Sequence, residues 1–387
     1  MMFHLVAAIV FFVSLTAIAA TYVLYPVILI PLSRLRRARA YEPGELPALT
    51  MIISAFNEAE VIGRKIQNTL EIDYPADRLQ VLVISDASDD GTDEIVTGFN
   101  DPRIVLCRQE PRGGKSRGIT TFMPRASGEI VVFSDANSMY DRQALRYLAA
   151  PFAEKRVGYV VGYQRYVAEP GSAVSTSENA YWQYETALKE AESRLSSVVG
   201  GDGAIYAFRK SLWVPLRDDD ISDLVLPLRI VSQGSSGVYE RRAVCDEHTA
   251  ADFGGEFRRK VRIVNRSLRG VLRVPETLNP FRVGWFAVQL FVHKVLRWFV
   301  PFLLVSLLVS NVLLLQVSPP VFQVFLGGQL AFYLLASLWF IPGIRRLRLV
   351  YLAYYFCLVN FAAARGVLGL LAGQRFVVWS PQREATP

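Results

Sequence analysis

The pattern of apolar and polar positions between residues 49 and 92 predicts a strand, a helix and a second strand. Residues 49–54 and 81–84 are short apolar runs, and residues 61–70 between them have the spacing of a helix. This order is typical of the right-handed crossover unit of an open parallel sheet. Polar residues follow both runs, at 55–58 and 85–92. Because ligands bind beyond the carboxyl ends of such strands, we expect the two polar clusters to line one pocket.

Acidic residues end three predicted strands: Glu58, then Asp86 with Asp89 and Asp90, and Asp135 after the run 130–134. Carboxylates at one sheet edge can hydrogen-bond a ribose or a base, and they can hold Mg²⁺ or Mn²⁺. Neither Gly-x-Gly-x-x-Gly after these strands nor Gly-x-x-x-x-Gly-Lys-Ser occurs, which argues against a dinucleotide enzyme and a P-loop ATPase. Each carboxylate alone could instead be a helix N-cap. Three acidic strand ends together favour a nucleotide site.

Long uncharged segments at both ends of the chain indicate a membrane protein. Residues 5–33 can cross a bilayer of roughly 30 Å, and the arginines at 34–39 place the following segment in the cytoplasm. A cleavable signal peptide is the alternative, but the leading residues lack Lys and Arg and the run is too long. Residues 298–344 predict two more spans, and residues 349–372 predict a third that contains Arg365. An arginine at that depth could contact a saccharide or snorkel to the interface, or the segment could be partly interfacial. Following the charges puts the tail outside, but Arg375 and Arg383 argue for the opposite side, so the side of the tail stays open.

The distribution of charge supports the same conclusion. The net charge is +7, and Glu384 is the one acidic residue beyond Glu276. The basic residues flank apolar spans, which favours a membrane surface over a nucleic-acid partner. The three cysteines are far apart in sequence and predict reduced thiols in a cytoplasmic domain. We therefore expect a multi-pass protein of the inner (plasma) membrane with its catalytic domain in the cytoplasm.

The chain resembles the membrane-bound family 2 glycosyltransferases, which include cellulose, chitin and hyaluronan synthases and rhizobial chito-oligosaccharide synthases. Four motifs carry this resemblance in order and spacing: Ser-Ala-Phe-Asn-Glu at 54–58, Ser-Asp-Ala-Ser-Asp-Asp-Gly-Thr at 85–92, Arg-Gly-Gly-Lys at 112–115 and Ser-Asp-Ala-Asn at 134–137. The resemblance implies a cytoplasmic α/β domain of the GT-A type, with a Rossmann-like mixed sheet, and an α-helical transmembrane region. The predicted units are a transmembrane helix at 1–33, the GT-A domain at 46–255, amphipathic interfacial helices at 256–297, about three transmembrane helices at 298–373 and a tail at 374–387.

The resemblance also implies a donor site and a metal site. The donor residues would be Phe56, Asn57, Glu58, Asp86, Lys115, Asp135, Arg259 and Arg262. Lys115 would meet the diphosphate of the donor, although it could also be a solvated loop lysine. Asp135 and Asn137 would hold Mg²⁺ or Mn²⁺. Asn137 replaces the second Asp of the family's Asp-x-Asp motif but still offers a neutral oxygen ligand.

Acceptor and base residues are expected further along the chain. Residues 176–195 predict a helix with Trp182 near its start, suited either to stacking on a sugar or to a plain core. The glycine-rich turn that follows lies by the acceptor in the family, and it contains Gly201, Asp202 and Gly203. Asp223 aligns with the Asp of the family's Thr-Glu-Asp motif and would be the general base, with Asp220 as the fallback. A helix N-cap is compatible with the same position.

Residues 256–273 predict a basic amphipathic helix at the membrane interface. Arg259, Arg262 and Ile263 stand where processive synthases have Gln, Arg and Trp of their Gln-x-x-Arg-Trp motif. Arg262 would contact the donor diphosphate, whereas Ile263 weakens the case for a long polymer. A purely lipid-binding helix is the alternative.

The sequence thus predicts inverting transfer of a hexosyl unit from a nucleoside-diphosphate sugar to a saccharide or lipid-linked acceptor, without a nucleic-acid partner. Two alternatives remain open: addition of a single sugar to a lipid, and an inactive membrane scaffold that senses nucleotide sugars.

Overall fold

The computed structural model describes residues 2–37, 39–167, 174–248, 253–316 and 320–378, and it describes the side chains of these residues except those of 174–181, 248 and 346. In chain order, the strands are β1 (Leu49–Ala55), β2 (Leu79–Ser85), β3 (Ile104–Arg108), β4 (Ile130–Asp135), β5 (Met139–Tyr140), β6 (Val157–Val167), β7 (Tyr206–Arg209) and β8 (Ser236–His248). The α-helices are α1 (Met2–Ala19), α2 (Tyr25–Arg34), α3 (Ala59–Leu70), α4 (Thr92–Thr97), α5 (Lys115–Phe122), α6 (Ala144–Ala149), α7 (Val174–Leu195), α8 (Ser222–Ser232), α9 (Phe253–Arg273), α10 (Pro280–Val283), α11 (Trp285–Leu290), α12 (Arg297–Leu314), α13 (Pro320–Ser337) and α14 (Arg348–Leu371).

The eight strands form one mixed sheet in the order β3-β2-β1-β4-β7-β6-β8-β5. Strands β1 to β4 pair in parallel, so their carboxyl ends meet at one edge. Strand β7 is antiparallel to both β4 and β6. Strand β8 is parallel to β6 and antiparallel to the short β5, which follows β4 directly. This arrangement is the mixed α/β sheet that the sequence predicted.

Two apolar layers cover the sheet. One layer packs side chains of α3 and α6 against one face, including Ile62 and Leu148, both of which are fully buried. The other layer joins the opposite face to α8 and α9, through residues such as Val225 and Leu268, and continues into the apolar helices through Trp298. The catalytic sheet and the membrane region therefore share one hydrophobic core.

Among the residues that the structure describes, four helical segments are long and apolar enough to cross a membrane, by length and composition alone: Met2–Arg34, Trp285–Leu314, Pro320–Phe340 and Arg348–Leu371. The first joins α1 and α2 through a π-helical turn, and the second joins α11 and α12 through another at Phe291–Leu296. Arg365 lies on the exposed side of α14.

Helix α14 lies alongside α9 over almost the whole length of both helices. The ring of Phe253 at the start of α9 is 5.7 Å from that of Tyr354, and the ring of Phe257 is 5.9 Å from that of Phe361. Further along, Asn265 donates to the Gly366 carbonyl (3.3 Å), and Arg269 donates to the Gln374 carbonyl (2.7 Å). The tail after α14 therefore returns to the catalytic domain.

A buried polar network joins the catalytic domain to the membrane helices. Glu192 on α7 accepts hydrogen bonds from the Tyr25 hydroxyl (2.8 Å) and from the Val199 amide (3.1 Å). The two ring nitrogens of His293 lie 2.6 Å from Glu192 Oε1 and 3.1 Å from Glu185 Oε2. Arg297 pairs with Glu185 at 2.5 Å. Because Val199 precedes the glycine-rich turn, this network fixes the entry to that turn.

Candidate active site

The two polar clusters after β1 and β2 contact each other, as the strand pattern predicted. Asn57 adopts a φ of 53° and forms two hydrogen bonds with Asp89. Asn57 Nδ2 donates to Asp89 Oδ1 (2.8 Å), and the backbone amide of Asp89 donates to Asn57 Oδ1 (3.1 Å). The Glu58 amide donates to Thr92 Oγ1 at 2.8 Å. Asp90 accepts from the Ala59 amide at 2.9 Å, so its carboxylate caps α3 from the neighbouring loop. The capping alternative therefore applies to Asp90.

Asp86 holds the Arg-Gly-Gly-Lys turn in place. Its carboxylate accepts from the amides of Gly113 (2.8 Å) and Gly114 (3.0 Å) and from the side chain of Gln109. The turn also places the Arg112 guanidinium 3.4 Å from the centre of the Phe56 ring. Asp86 is only 1% exposed. Its carboxylate positions the turn that carries Lys115, and its contact with a donor stays a prediction.

Lys115, Asp135 and Asp223 converge around Gly203. Lys115 begins α5, and its Nζ lies 2.5 Å from Asp135 Oδ1 at the end of β4. A methyl group on Gly203 would lie 3.4 Å from Asp135 Oδ2, 3.7 Å from Asp223 Oδ2 and 3.7 Å from Lys115 Nζ. Three segments that are distant in sequence therefore direct charged atoms at one point. Asp135 and Asp223 share a single site.

The electrostatic environment of Asp223 suits a group that must accept a proton. Burial raises the pKa of Asp223 to about 6; Lys115 opposes this change, and the carboxylates of Asp202 and Asp135 add to it. Asp223 lies in the first turn of α8, and the Gly201 amide donates to its backbone carbonyl. That hydrogen bond holds the glycine-rich turn beside the carboxylate.

The carboxylate of the predicted alternative base, Asp220, is bonded to groups of its own domain. Its side chain is fully buried and is bonded to Arg273 and, at 3.2 Å, to Arg229. Its Oδ2 also accepts from the Arg217 amide at 3.0 Å. Both carboxylate oxygens are therefore occupied by donors that hold the loop 217–220 against α8 and α9.

The arginines of α9 divide into two groups. Arg259 forms an ion pair with Glu256 at 2.7 Å, so its predicted role in donor binding competes with a partner on its own helix. Arg262 is half-buried, and within the part of the chain that the structure describes its guanidinium forms no ion pair. Burial and the charge of Arg259 lower the pKa of Arg262, while Asp135 and Asp223 oppose that change. Arg262 therefore lies within electrostatic reach of both site carboxylates.

The predicted acceptor residues are Gly201, Asp202 and Gly203 in the glycine-rich turn and Trp182 in α7. Asp202 pairs with Lys189 of α7 at 3.2 Å, and Gly200 has a φ of 83° that favours glycine. Trp182 stacks on Tyr166 of β6, with ring centroids 4.3 Å apart. The turn thus adjoins the charged groups directly, whereas the Trp182 ring already packs on another aromatic side chain.

Comparison with known proteins defines the family of this domain. Residues 50–213 match the family model described as "Glycosyl transferase family 2". These residues form a glycosyltransferase family 2 domain. This confirms the family that the four motifs indicated.

The curated relatives of this family 2 domain include a probable glycosyltransferase, YdaM, of Bacillus subtilis (strain 168), which is 30% identical over 129 residues. That match covers 32% of this chain and 31% of the relative. A poly-beta-1,6-N-acetyl-D-glucosamine synthase of Staphylococcus aureus (strain COL) is 25% identical over 225 residues, which are 56% of this chain and 54% of the relative. The chain therefore spans about a third to about half of the length of these relatives.

Among solved structures, the chain is similar to a mannosyltransferase, PcManGT, from Pyrobaculum calidifontis, in complex with GDP-Man and Mn²⁺. The TM-score is 0.72 at 20% identity, and the match covers 95% of this chain and all of the other. This similarity confirms the GT-A-type fold, and it includes the helical region as well as the sheet.

The residues at the end of β4 are compatible with a divalent cation bound together with a donor diphosphate. In the described residues, no group of three or more His, Cys, Asp and Glu side chains could hold a metal alone. Sites for Mg²⁺ that include substrate phosphates, however, commonly use only one or two carboxylates from the protein. Asp135 Oδ2 faces the site beside Gly203, and the Asn137 amide adds a neutral oxygen.

Two residues at this loop, the buried Lys65 and the half-buried Glu247, were missed from the sequence. Lys65 of α3 is fully buried, donates to the Ser138 carbonyl and lies 4.1 Å from the centre of the Tyr140 ring. Burial lowers the pKa of Lys65 to about 7. Glu247 of β8 accepts from Asn137 Nδ2 at 3.1 Å and also from the Gln164 side chain. Both residues act on the loop from distant elements, and no local motif marks either of them.

The tail also reaches the site. A Cβ on Gly114 would lie 2.5 Å from the Val377 carbonyl, so residues after α14 pack directly on the turn that carries Lys115. Arg375 Nε lies 4.0 Å from Asp219 Oδ2. The sequence left the side of the tail open. In the structure, the tail lies beside the Arg-Gly-Gly-Lys turn, which Val377 contacts.

Proposed function

We propose that the protein is a membrane-bound inverting glycosyltransferase that moves a hexosyl unit from a nucleoside-diphosphate sugar to a saccharide or lipid-linked acceptor. The convergence of Lys115, Asp135 and Asp223 around Gly203 carries this proposal. Lys115 offers a cation for the diphosphate, Asp135 a carboxylate for the metal and Asp223 a carboxylate that can accept a proton. Glycosyl transfer breaks one C–O bond and forms another, and each of these groups has a task in that reaction.

In this mechanism, Asp223 accepts the proton of the acceptor hydroxyl as that oxygen attacks the anomeric carbon of the donor. The bond from that carbon to the diphosphate breaks on the opposite face, which inverts the configuration. Lys115 and Arg262 hold the diphosphate by charge. Asp135 and Asn137 would hold Mg²⁺ or Mn²⁺, which would neutralise charge on the leaving diphosphate.

Several observations support the substrate class. One relative is a poly-beta-1,6-N-acetyl-D-glucosamine synthase, and a structural neighbour of the same fold was solved with GDP-Man and Mn²⁺. Arg262, which forms no ion pair with the residues that the structure describes, matches the arginine expected to contact the donor diphosphate. The turn 200–203 borders the base, which is where an acceptor hydroxyl must enter.

The proposal places the catalytic domain on the cytoplasmic face of the inner membrane, with α14 in the plane of that surface. Three observations support this orientation for α14. It runs beside α9, α9 is bonded to the catalytic domain through Arg266 and Arg273, and the tail reaches Gly114. Both ends of α14 then lie on the side of the catalytic domain. Three apolar segments, rather than four, would cross the bilayer.

The direct test uses purified full-length protein in detergent with a panel of labelled UDP- and GDP-sugars and Mn²⁺. We expect one donor to yield labelled product, and Asp223→Asn to lower its rate about 10²–10⁴-fold. Asp218→Asn is the matched control, because Asp218 lies in the same acidic stretch but is exposed. A single glycolipid as product would favour single-sugar transfer to a lipid, and a ladder would favour a synthase. Neither transfer nor hydrolysis of any donor would contradict the proposal and support the inactive scaffold.

A further inference from the structure

Glu247 occupies a notable position relative to the proposed metal residues. It is the penultimate residue of β8, and β8 pairs with β5 through Met139 opposite Asp246 and Tyr140 opposite Cys245. Strand β5 follows β4 after the residues 136–138. This pairing brings β8 level with the loop that contains Asn137, although the two segments are far apart in sequence. Glu247 Oε1 accepts from Asn137 Nδ2 at 3.1 Å.

This hydrogen bond fixes the orientation of the Asn137 amide. A primary amide has one acceptor oxygen and one donor nitrogen on opposite branches of a plane. When Nδ2 is directed at Glu247, Oδ1 is directed away from Glu247. Glu247 is itself held, because its second oxygen, Oε2, accepts from the Gln164 side chain on the neighbouring strand β6. A fixed carboxylate therefore sets which atom of Asn137 is free to act as a ligand.

We propose that Glu247 is a positioning residue of the metal site: it orients the Asn137 amide oxygen toward the cation. This inference rests on the proposed function, in which Asp135 and Asn137 hold the metal. The residue that orients Asn137 therefore lies on β8, 110 residues further along the chain. Residues that orient a metal ligand by hydrogen bonding commonly change metal affinity about 10–100-fold when they are replaced.

The test measures binding of Mn²⁺ to full-length protein in detergent with UDP or GDP present, by electron paramagnetic resonance of the free ion against a protein-free solution of the same nucleotide, so it needs no turnover. We expect Glu247→Gln to weaken Mn²⁺ binding about 10–100-fold. The double variant Asn137→Asp with Glu247→Gln exchanges the carboxylate and the amide across the same hydrogen bond. It should bind Mn²⁺ no more than about threefold more weakly than the native protein, because the same hydrogen bond again directs one oxygen of residue 137 away from residue 247.

The reference variant is Asp135→Asn. If it abolishes Mn²⁺ binding while Glu247→Gln binds as the native protein does, the role of Glu247 is refuted and the metal site stands. If Glu247→Gln weakens binding but the double variant does not restore it, the effect of Glu247 is structural and the inference is again refuted. If the native protein binds no Mn²⁺ with either nucleotide present, or if Asp135→Asn leaves binding unchanged, the metal site of the proposed function is itself wrong. Thermal unfolding of each variant shows whether the chain remains folded.

Discussion

Replacing Gly203 by alanine tests whether the point at which Lys115, Asp135 and Asp223 converge is the place of reaction. The new methyl group would stand 3.4 Å from Asp135 Oδ2 and 3.7 Å from each of the other two charged atoms. These are ordinary van der Waals distances, so the methyl fits the folded protein. It also fills the space in which the anomeric carbon and the acceptor oxygen must meet.

Stability and activity should therefore change in opposite directions. The backbone of Gly203 is not in the left-handed region, so alanine should stabilise the fold by about 0.4–1 kcal/mol through the unfolded state. A displacement of the reacting groups by about 1 Å costs about 10²-fold in rate. We thus expect kcat/KM to fall at least about 10²-fold, which corresponds to about 2.7 kcal/mol of activation free energy.

The assay compares kcat/KM for sugar transfer with the midpoint of thermal unfolding in detergent. Gly44→Ala is the matched control, since no atom lies within 4 Å of its added methyl and it changes only the backbone entropy. An active Gly203→Ala variant, with kcat/KM within about threefold of the native value, would show that the space is not used, and the mechanism proposed above would fail.

Three further predictions concern the base, the tail and the polar network. Because burial raises the pKa of Asp223 to about 6, its base form is lost as the pH falls through that value, and kcat/KM should decrease about tenfold per pH unit below it; a profile flat down to pH 5 would exclude Asp223. The side of the tail can be read with a membrane-impermeant thiol reagent in a Cys357→Ser background. We expect Val378→Cys to be labelled only after the cells are permeabilised, whereas Gln316→Cys, just after α12, should be labelled in intact cells. Labelling of Val378→Cys in intact cells would instead mean that α14 crosses the membrane. Tyr25→Phe removes one hydrogen bond to the buried Glu192 carboxylate (2.8 Å) and should lower the free energy of unfolding by about 1.5–3 kcal/mol, as measured by thermal or denaturant unfolding; an unchanged stability would mean that the network carries little energy.

Local pattern was sufficient to predict the framework of the catalytic domain. The alternation of apolar runs and helical spacing located β1, α3 and β2, and the acidic strand ends located the edge at which Asp135 lies. The helix predicted at 176–195 is α7, which begins two residues earlier, and the basic amphipathic helix is α9. These features depend on residues that are neighbours in sequence.

Features that depend on distant residues could not be predicted. Asp86 and Asp220 belong to acidic segments that suggest ligand binding, yet the structure surrounds them with donors from their own domain. Glu247 and Lys65 reach the metal loop only because β8 and α3 fold beside it. Composition also does not distinguish an apolar helix that crosses a bilayer from one that lies along α9 at its surface, so the sequence does not decide between the predicted span and the orientation proposed above for α14.

The core shared by the sheet and the membrane helices limits how the enzyme can be divided. A chain cut at residue 255, where the sequence suggested a domain boundary, would lose the helix that covers Val225 and the other buried residues of α8. That helix, α8, carries Asp223 in its first turn. A soluble fragment of this kind would expose an apolar surface beside its own base and aggregate. The smallest useful preparation of the enzyme therefore retains its membrane helices.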